Sequence, residues 1–227
     1  MKDNKKYKGL FITGTDTDVG KTYIGAQIVS FLYEMNVPVL PRKPIESGCE
    51  LIDGTLRPDD ANHYFNAVDK QISLTNICPF RFQPAISPQR AARLVNQPIT
   101  IKEVKYACLE NSTTDSYLFV EGAGGFYSPL CEDGLNADLA SALELPVLLI
   151  AKDQLGCINH ILLTVDAIKK AGLNLCAVIL NQKDHTHDDA MDNLDDLKKY
   201  LEMPIFLISH NELIKNNKSL VNFLANI

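Results

Sequence analysis

The sequence predicts a single α/β domain over residues 1–227, with a mainly parallel sheet covered by helices on both faces. Apolar runs of strand length alternate with longer segments of helical periodicity, which is typical of parallel strands joined by helical crossovers. A glycine-containing loop follows the first apolar run and leads directly into a helical segment. The 227 residues include no Pro/Gly/Ser-rich linker, and this length suits one well-buried domain.

Six apolar runs are the predicted strands, and the segments between them contain the predicted helices. In chain order the runs are "GLFIT", "VPVLP", "YLFVE", "PVLLIA", "LCAVILN" and "PIFLIS". The helices are predicted near residues 21–35, 59–66, 88–96, 100–111, 136–144, 159–171 and 188–201. Thr100 and Glu103 have the spacing of a capping box at the start of one helix. Gly172 is placed to end another helix.

A ligand site is predicted at one edge of the sheet. The residues that come just after predicted strands there are Lys43, Glu121, Lys152 and Asn181. In a parallel sheet such positions share the carboxyl edge of the strands, where open α/β folds bind their ligands.

The composition of the chain argues against two classes of partner. Its formal charge is -6 and its pI about 5.4, so neither nucleic acid nor an anionic membrane would attract it over long range. No apolar stretch approaches the roughly 20 residues of a membrane span. The six cysteines include no C-x-x-C pair, which indicates reduced thiols. We expect a cytoplasmic protein with a small-molecule ligand.

The loop "GTDTDVGKT" has the features of a phosphate-binding loop, and the fold is therefore expected to be P-loop NTPase-like. Gly14 and Gly20 allow backbone amides to approach phosphate oxygens, Lys21 can reach the terminal phosphates, and the Thr22 hydroxyl can coordinate Mg²⁺. The loop is a variant, because five residues separate the two glycines and Thr15 stands where the usual first glycine would be.

Two aspartates in this loop do not suit phosphate. Asp16 and Asp18 would repel it, so they are expected either to face away or to contact another ligand. An ammonium group would suit them, which indicates a substrate that carries positive charge beside the nucleotide.

A magnesium site needs further oxygen ligands, and carboxylates at strand ends are a usual source of them. Glu121 fits this role by its position after "YLFV". Either Asp59 or Asp60 in "LRPDDA" is able to complete the set, and both also suit a solvated helix start.

The motifs "GTDTDVGKT", "KPIESG", "VEGAGG" and "KDQLGCINH", in this order, closely resemble those of the dethiobiotin synthetase family. The resemblance runs from the first strand to at least Asn181, and it is weaker over the last 40 or so residues. It implies a ligase of biotin synthesis that joins CO₂ to 7,8-diaminopelargonate and closes the ureido ring, converting ATP to ADP and phosphate with Mg²⁺. The reaction would run through a carbamate and a carbamic-phosphoric anhydride.

The resemblance also implies roles for individual residues. The catalytic residues would be Lys21, Lys43 and Thr17. The metal would be held by Thr22, Asp60 and Glu121. The nucleotide would be held by Asp18, Val19, Gly20, Lys21, Thr22, Tyr23, Asp60, Glu121, Gly122, Ala123, Gly124, Asn181 and Gln182, with Asn181 on the adenine. The substrate would be held by Thr17, Lys43, Ser47, Leu155, Gly156, Cys157, Ile158 and Asn159.

The family resemblance further implies a homodimer with its substrate near the interface. The segment "LGCINH" of one chain would offer helix N-terminal amides to the substrate carboxylate in the partner's site. Two departures from the family pattern are present. Gln89 stands where the family often has His after "SP", and Asp18 stands where Glu is common.

Two other functions fit the same architecture. A ParA/MinD-type switch would carry an additional lysine early in the loop, where this chain has Asp16. An amidotransferase of the cobyrinate type usually carries a further glutaminase region, for which 227 residues leave little room. Outside these motifs, Cys157 is expected to be buried, His160 to be a first-turn helix residue, and residues 185–189 to be a solvated loop.

Overall fold

The structure is a computed structural model, and it describes residues 7–183 and 190–226. The strands in these ranges are β1 Lys8–Gly14, β2 Val39–Arg42, β3 Ile45–Ser47, β4 Glu50–Ile52, β5 Thr55–Arg57, β6 Phe80–Phe82, β7 Tyr117–Gly125, β8 Pro129–Cys131, β9 Gly134–Leu135, β10 Val147–Lys152, β11 Leu175–Asn181 and β12 Ile205–Ile208. The α-helices are α1 Lys21–Glu34, α2 Asp59–Ala67, α3 Leu74–Ile77, α4 Pro88–Leu94, α5 Ile101–Leu109, α6 Asn136–Leu143, α7 Cys157–Lys170, α8 Asn193–Leu197 and α9 Lys218–Leu224, with one 3₁₀ turn at Ile214–Asn216.

The central sheet has six parallel strands in the order β12-β11-β10-β1-β7-β2. One apolar layer lies on each face. On β1, Phe11 points into one layer, while Leu10 and Ile12 point into the other. Helices cover both layers, since α1 buries Ile24 in one and α7 buries Ile161 in the other. The predicted α/β architecture is therefore confirmed, and burial on both faces explains why the strands read as unbroken apolar runs.

The predicted elements match the observed ones closely. All six apolar runs contain strands of the central sheet. Thr100 Oγ1 accepts from Glu103 N at 3.3 Å and the Glu103 carboxylate accepts from Thr100 N at 2.8 Å, so the capping box is confirmed. Gly172, with φ of +72°, follows the end of α7 as predicted.

Some elements were not predicted. The helix expected over 188–201 is shorter, at Asn193–Leu197, because Asp192 caps its start and residues 198–200 form a turn. Positions 184–189, including the "HTHDD" segment, lie outside the described residues. The two-stranded ladders β3-β6, β4-β5 and β8-β9, and the helices α3 and α9, have no sequence prediction. They are too short to show a recognisable period, since each strand spans only two or three residues.

A bulge in β7 brings its end toward the phosphate loop. Ile12 pairs with Glu121 but Gly14 pairs with Gly125, so β7 has three residues where β1 has one. The carboxamide of Asn136, at the start of α6, is fully buried behind this bulge. It accepts from Ala123 N at 2.9 Å and donates to the carbonyls of Ala123, Gly125 and Ser128 at 2.7, 3.1 and 3.2 Å. The bulge is therefore held by side-chain hydrogen bonds to its backbone.

The end of β2 is fixed by a buried arginine. Arg42 is only 1% exposed, and its guanidinium donates to Cys108 O at 3.1 Å, Glu110 O at 2.7 Å and Pro41 O at 3.0 Å. Two of these carbonyls belong to the end of α5, which a cation both satisfies and stabilises. The next residue, Lys43, therefore leaves the sheet from a fixed point.

The structure also bears on the predictions made for the cysteines, for His160 and for a membrane span. All six cysteines are free thiols, and Cys157 is buried as predicted, with its pKa raised by burial. His160 lies in the first turn of α7. Over residues 7–183 and 190–226, the helices fall short of the length and apolarity that a bilayer span requires.

Candidate active site

A cleft of about 570 Å³ opens at the carboxyl edge of the sheet, where the sequence predicts a ligand site. Most predicted site residues lie in its wall. They are Thr17, Asp18, Gly20, Lys21, Thr22, Tyr23, Lys43, Ser47, Asp60, Glu121, Ala123, Gly124, Asn181 and Gln182. The structure thus brings the motifs of the first strand, the "KPIESG" segment, the bulge and β11 into one site.

Other predicted residues lie away from this cleft. They are Val19, Gly122, Leu155, Gly156, Cys157, Ile158 and Asn159. Val19 and Gly122 are buried behind the lining, and the rest lie at the start of α7. Lys152 and Gln89 do not line the cleft either.

The phosphate loop is held in shape by Asn181. Gly20 has φ of +95°, a left-handed conformation that favours glycine, and a Cβ there would collide with Asn181 Nδ2. That amide donates to Val19 O at 3.0 Å. Because the first-turn amides of α1 have no carbonyl partner inside the helix, the loop presents donors and the positive end of the helix dipole to the cleft. This arrangement suits a phosphate group.

Lys21 is the buried cation of this loop. It is 6% exposed, and its Nζ donates to the backbone carbonyl of Asp16 at 2.9 Å. Burial lowers the pKa of Lys21 from 10.5 to about 8, and the more distant charge of Glu121 offsets only part of this effect. An anion arriving in the cleft would relieve the cost of keeping this ammonium charged.

The two loop aspartates are engaged by the protein itself. Asp16 Oδ1 accepts from Thr17 N at 2.7 Å. Asp18 Oδ1 accepts from Lys183 Nζ at 2.7 Å, and the same ammonium donates to Asp18 O at 2.6 Å. Asp18 is therefore paired with an ammonium group of the protein itself, that of Lys183. Contact of either aspartate with a charged substrate stays a prediction.

Glu121 is the centre of the site. Its side chain is buried, and its Oε1 accepts from Thr22 Oγ1 at 2.9 Å and from Lys43 Nζ at 2.6 Å. Its Oε2 accepts from the phenol of Tyr64, a residue of α2. Burial and the nearby charge of Glu121 raise the pKa of Tyr64 well above its ordinary value, so the phenol is protonated and acts as the donor. Four elements, α1, α2, β7 and the segment after β2, converge on one carboxylate.

Lys43 bridges two carboxylates. Its Nζ lies 2.6 Å from Glu121 Oε1 and 2.8 Å from Asp60 Oδ2, and the side chain is 4% exposed. Burial disfavours the charged form of Lys43, but Glu121 and Asp60 outweigh burial and raise its pKa above the ordinary range. Burial likewise opposes the charged form of Asp60, and the ammonium of Lys43 more than compensates, so the pKa of Asp60 is lowered. Of the two aspartates left open by the sequence, the structure places Asp60 in the cleft lining.

Glu46 positions the start of α2, and sequence reasoning missed it. Its Oε1 accepts from Asp60 N at 2.9 Å and its Oε2 from Ala61 N at 3.0 Å. Glu46 therefore caps the start of α2. Pro58, the N-cap residue of this helix, makes no side-chain hydrogen bond to the first-turn amides. Burial, followed by the charge of Asp60, raises the pKa of Glu46 to about 7.

Further cleft residues also lack a sequence prediction. They are Ile45, Glu46, His63, Lys183, His210 and Asn211. His210 and Asn211 follow β12, so the rule that pointed to the other strand ends would have found them. Glu46 and His63 carry no such signal, because a charged residue in a short strand and a histidine in an amphipathic helix are commonly solvent-facing.

The sequence comparisons identify the family. Over residues 8–216 the chain matches the family described as an AAA domain. It is 36% identical over 206 residues to an ATP-dependent dethiobiotin synthetase of Vesicomyosocius okutanii subsp. Calyptogena okutanii (strain HA), covering 91% of this chain and 92% of that protein. A protein of the same name from Anaeromyxobacter sp. (strain Fw109-5) is 38% identical over 184 residues, covering 81% of each.

The chain belongs to the dethiobiotin synthetase family.

Solved structures of proteins with other names share the fold. A septum site-determining protein MinD from Pyrococcus horikoshii OT3, complexed with Mg-ADP, aligns with a TM-score of 0.55 and 17% identity, covering 96% of this chain and 86% of that one. A plasmid partition protein from Borrelia burgdorferi B31, bound to AMPPNP, aligns with a TM-score of 0.61 and 12% identity, covering 97% and 99%. At these identities the likeness shows the fold alone, and it confirms the P-loop NTPase-like architecture predicted from the sequence.

Proposed function

We propose that this protein catalyses the ATP-dependent formation of dethiobiotin from 7,8-diaminopelargonate and CO₂. The observation that carries the proposal is the cleft itself. It joins a phosphate loop with Lys21 to a second buried lysine, Lys43, and to Glu121. This cleft lies in a chain that matches, over 91% of its length, a protein named for that synthesis.

The triphosphate of ATP would lie along the loop and the start of α1. Lys21 and the first-turn amides supply positive charge to it. Thr17 lies across from the bulge, since a Cβ on Gly124 would be 3.4 Å from Thr17 Oγ1. We propose that Thr17 and Ser47 contact the reacting substrate, and that the residues of β11 and beyond it, including Asn181 and Gln182, face the base.

The oxygen atoms around Glu121 suit a magnesium ion. We propose that Thr22, Asp60 and Glu121 hold it. The ammonium of Lys43 lies between the two carboxylates, which supports a preference of this position for positive charge. In the described part of the chain no group of three or more His, Cys, Asp or Glu forms a metal site by itself. The donors proposed here are two carboxylates and a hydroxyl, and Mg²⁺ commonly binds through one or two carboxylates and substrate phosphates. When bound, the ion would offset the negative charge of the triphosphate.

The reaction begins with an amine of the substrate and CO₂. The nitrogen forms a bond to carbon and loses a proton, giving a carbamate. A carbamate oxygen then attacks the γ-phosphorus while the bond to the β-phosphate bridging oxygen breaks, releasing ADP. Finally the second amine attacks the carbamate carbon and loses its proton, the carbon–oxygen bond breaks, and phosphate leaves as the ring closes.

The protein contributes positioning and positive charge to these steps. Both partners in the phosphoryl transfer are anionic, so a protein nucleophile is not required. We propose that Lys21 stabilises the charge on the transferred phosphoryl group. Lys43 would stabilise the carbamate oxygen as it approaches phosphorus. In the protein without ligands, Glu121 and Asp60 raise the pKa of Lys43, so its ammonium is charged when the substrates arrive.

The clearest test of the proposed function is an assay of inorganic phosphate release. With ATP and Mg²⁺ present, release is expected only when 7,8-diaminopelargonate and bicarbonate are both added, with one dethiobiotin formed per phosphate. The reason is that phosphate is displaced only by the second amine of a carbamate already formed. Omitting either compound is the control. Phosphate release that is equal without the diamine would contradict the proposal and favour a nucleotide-driven switch.

We further propose that the active protein is a homodimer whose sites are shared between chains. The start of α7 lies away from its own cleft, yet it presents first-turn amides and the exposed Asn159. The same region exposes apolar side chains, with Leu155 at 91% and Leu163 at 63% exposure. A partner's cleft would bring these amides to the substrate carboxylate.

Mixing two inactive variants tests the shared site. Protein carrying Lys43→Met and protein carrying Asn159→Ala are each expected to be nearly inactive. After subunit exchange, activity is expected to recover to about a quarter of wild type, because half of the dimers are mixed and each has one intact site. The recovery is measured as dethiobiotin formation after confirmed exchange. Absence of any recovery would show that each chain builds its own complete site.

A further inference from the structure

Tyr64 donates a hydrogen bond to Glu121, a proposed metal ligand, although its surroundings are those of a core residue. Its side chain is fully buried on α2, and its ring lies 5.9 Å, centroid to centroid, from that of Phe119. Core packing alone would be served equally by phenylalanine. The hydroxyl group, however, donates to Glu121 Oε2, on the side of the carboxylate opposite to its bonds with Thr22 and Lys43.

A glycine in the middle of α1 makes room for this hydroxyl. A Cβ on Gly25 would collide with the Tyr64 hydroxyl oxygen and would lie 3.1 Å from Cζ of the same ring. Glycine inside a helix costs about 1 kcal/mol relative to alanine. The close approach of the phenol explains its presence here. Gly25 also lies one turn after Thr22, so α1 both contacts Glu121 and accommodates the residue that orients it.

The two oxygens of Glu121 therefore have different partners. Oε1 meets Thr22 and Lys43, while Oε2 meets the phenol alone among the bonds seen in residues 7–183 and 190–226. Glu121 is 1% exposed, so water cannot readily replace a lost donor. Without the hydroxyl, Oε2 would lose this bond, and the orientation of the carboxylate would depend on the bonds of Oε1 with Thr22 and Lys43.

We propose that Tyr64 is a positioning residue that fixes the orientation of Glu121 for binding of the divalent cation with the nucleotide. The proposal rests on the metal site given under the proposed function. Groups that orient a metal ligand through its second atom typically change metal affinity or activity by about 10–100-fold when they are removed. Tyr64 does not contact the cleft, so its effect would pass entirely through Glu121.

The test is binding of Mn²⁺ to the protein in the presence of AMPPNP, measured by electron paramagnetic resonance. Tyr64→Phe is expected to weaken Mn²⁺ binding by about tenfold or more. AMPPNP binding in the absence of metal should change much less. Equal Mn²⁺ affinity in Tyr64→Phe and wild type, within about twofold, would overturn the proposal. Because no turnover is needed, wild-type protein that binds Mn²⁺ but makes no dethiobiotin would refute the proposed function and leave this test intact.

The matched control is Tyr117→Phe. Tyr117 is also a buried tyrosine, on the same strand as Glu121, and its hydroxyl has no hydrogen-bond partner within the described residues. The Tyr117→Phe substitution removes the same oxygen atom, but from a residue that makes no hydrogen bond to Glu121. Its Mn²⁺ affinity is expected to equal that of wild type. An equal loss in both variants would show a general effect of core perturbation and would overturn the positioning role.

A second variant keeps the hydroxyl but displaces it. Gly25→Ala is expected to weaken Mn²⁺ binding, and the double variant with Tyr64→Phe should be little weaker than Tyr64→Phe alone, since both changes break one contact. Effects that simply multiply would contradict the proposal. If Tyr64→Phe does not fold, Gly25→Ala decides alone: unchanged Mn²⁺ affinity in the folded variant overturns the inference.

Discussion

Replacing Lys43 by methionine is expected to lower the turnover of dethiobiotin synthesis by at least about 10²-fold, the scale found when one preorganised electrostatic donor is removed. Methionine keeps the length and apolar contacts of the side chain but removes its charge. The loss should appear at saturating ATP and diamine, because the charge is proposed to act on the reacting oxygens. It is measured as initial rates of dethiobiotin formation. Wild-type turnover at saturation would rule out a catalytic role for Lys43.

The same variant is expected to be less stable without ligands. Removing the ammonium leaves Asp60 and Glu121 facing one another, and breaking a buried ion pair typically costs about 3–5 kcal/mol. The loss should be at the lower end of this range, since the side chain of Asp60 is 41% exposed. The measurement is urea unfolding at fixed protein concentration. Lys199→Met, which removes a pair with Asp196 on the surface, is the control and should change stability by less than about 1 kcal/mol.

Replacing Lys21 by methionine should lower turnover on a scale similar to that of the Lys43 variant, but its effect on stability should differ. We expect activity to fall by about 10²–10³-fold, because the charge nearest the proposed triphosphate is lost. ATP raises the melting temperature of a protein that binds it, and this shift should nearly disappear in the variant. Differential scanning fluorimetry with and without ATP measures it. A full ATP-dependent shift in Lys21→Met would remove Lys21 from the nucleotide site.

Without ligands, Lys21→Met is expected to be at least as stable as wild type at pH 7. Burial lowers the pKa of Lys21 to about 8, so the folded state carries a charge that it disfavours. Between about pH 8 and 10.5 the unfolded chain holds this proton and the folded chain does not, so wild-type stability rises relative to the variant over that range. Melting temperatures at pH 7 and pH 10 test this. A variant that is clearly less stable at pH 7 would show that Lys21 serves the fold.

The sheet was predictable because its physical cause is local. Each central strand is buried on both faces, so it appears as an apolar run such as "PVLLIA" or "LCAVILN". The small ladders were not predictable for the opposite reason. Ile45 pairs with Phe80, a partner far away along the chain, and three-residue strands carry too little pattern to be recognised.

The residues of the candidate site likewise fall into two groups, those that could be predicted from the sequence and those that could not. Lys21, Thr22 and Glu121 could be predicted because a glycine loop or a strand end gives them a position as well as a chemistry. Tyr64 and Glu46 could not, since a buried tyrosine on an amphipathic helix is usually part of the core. Their contacts are made across the fold, with the carboxylate of Glu121 and the amides of α2, and are not visible in the sequence.

The carboxamide of Asn136 has a consequence for ligand affinity. Its four hydrogen bonds hold the backbone of Ala123, Gly125 and Ser128 in place in the protein alone. Immobilising a flexible backbone costs about 1–2 kcal/mol per residue, and a loop that became ordered only on binding would subtract this amount from the interaction. Here the backbone entropy is lost when the chain folds. Contacts between the bulge and a nucleotide can therefore contribute to affinity in full.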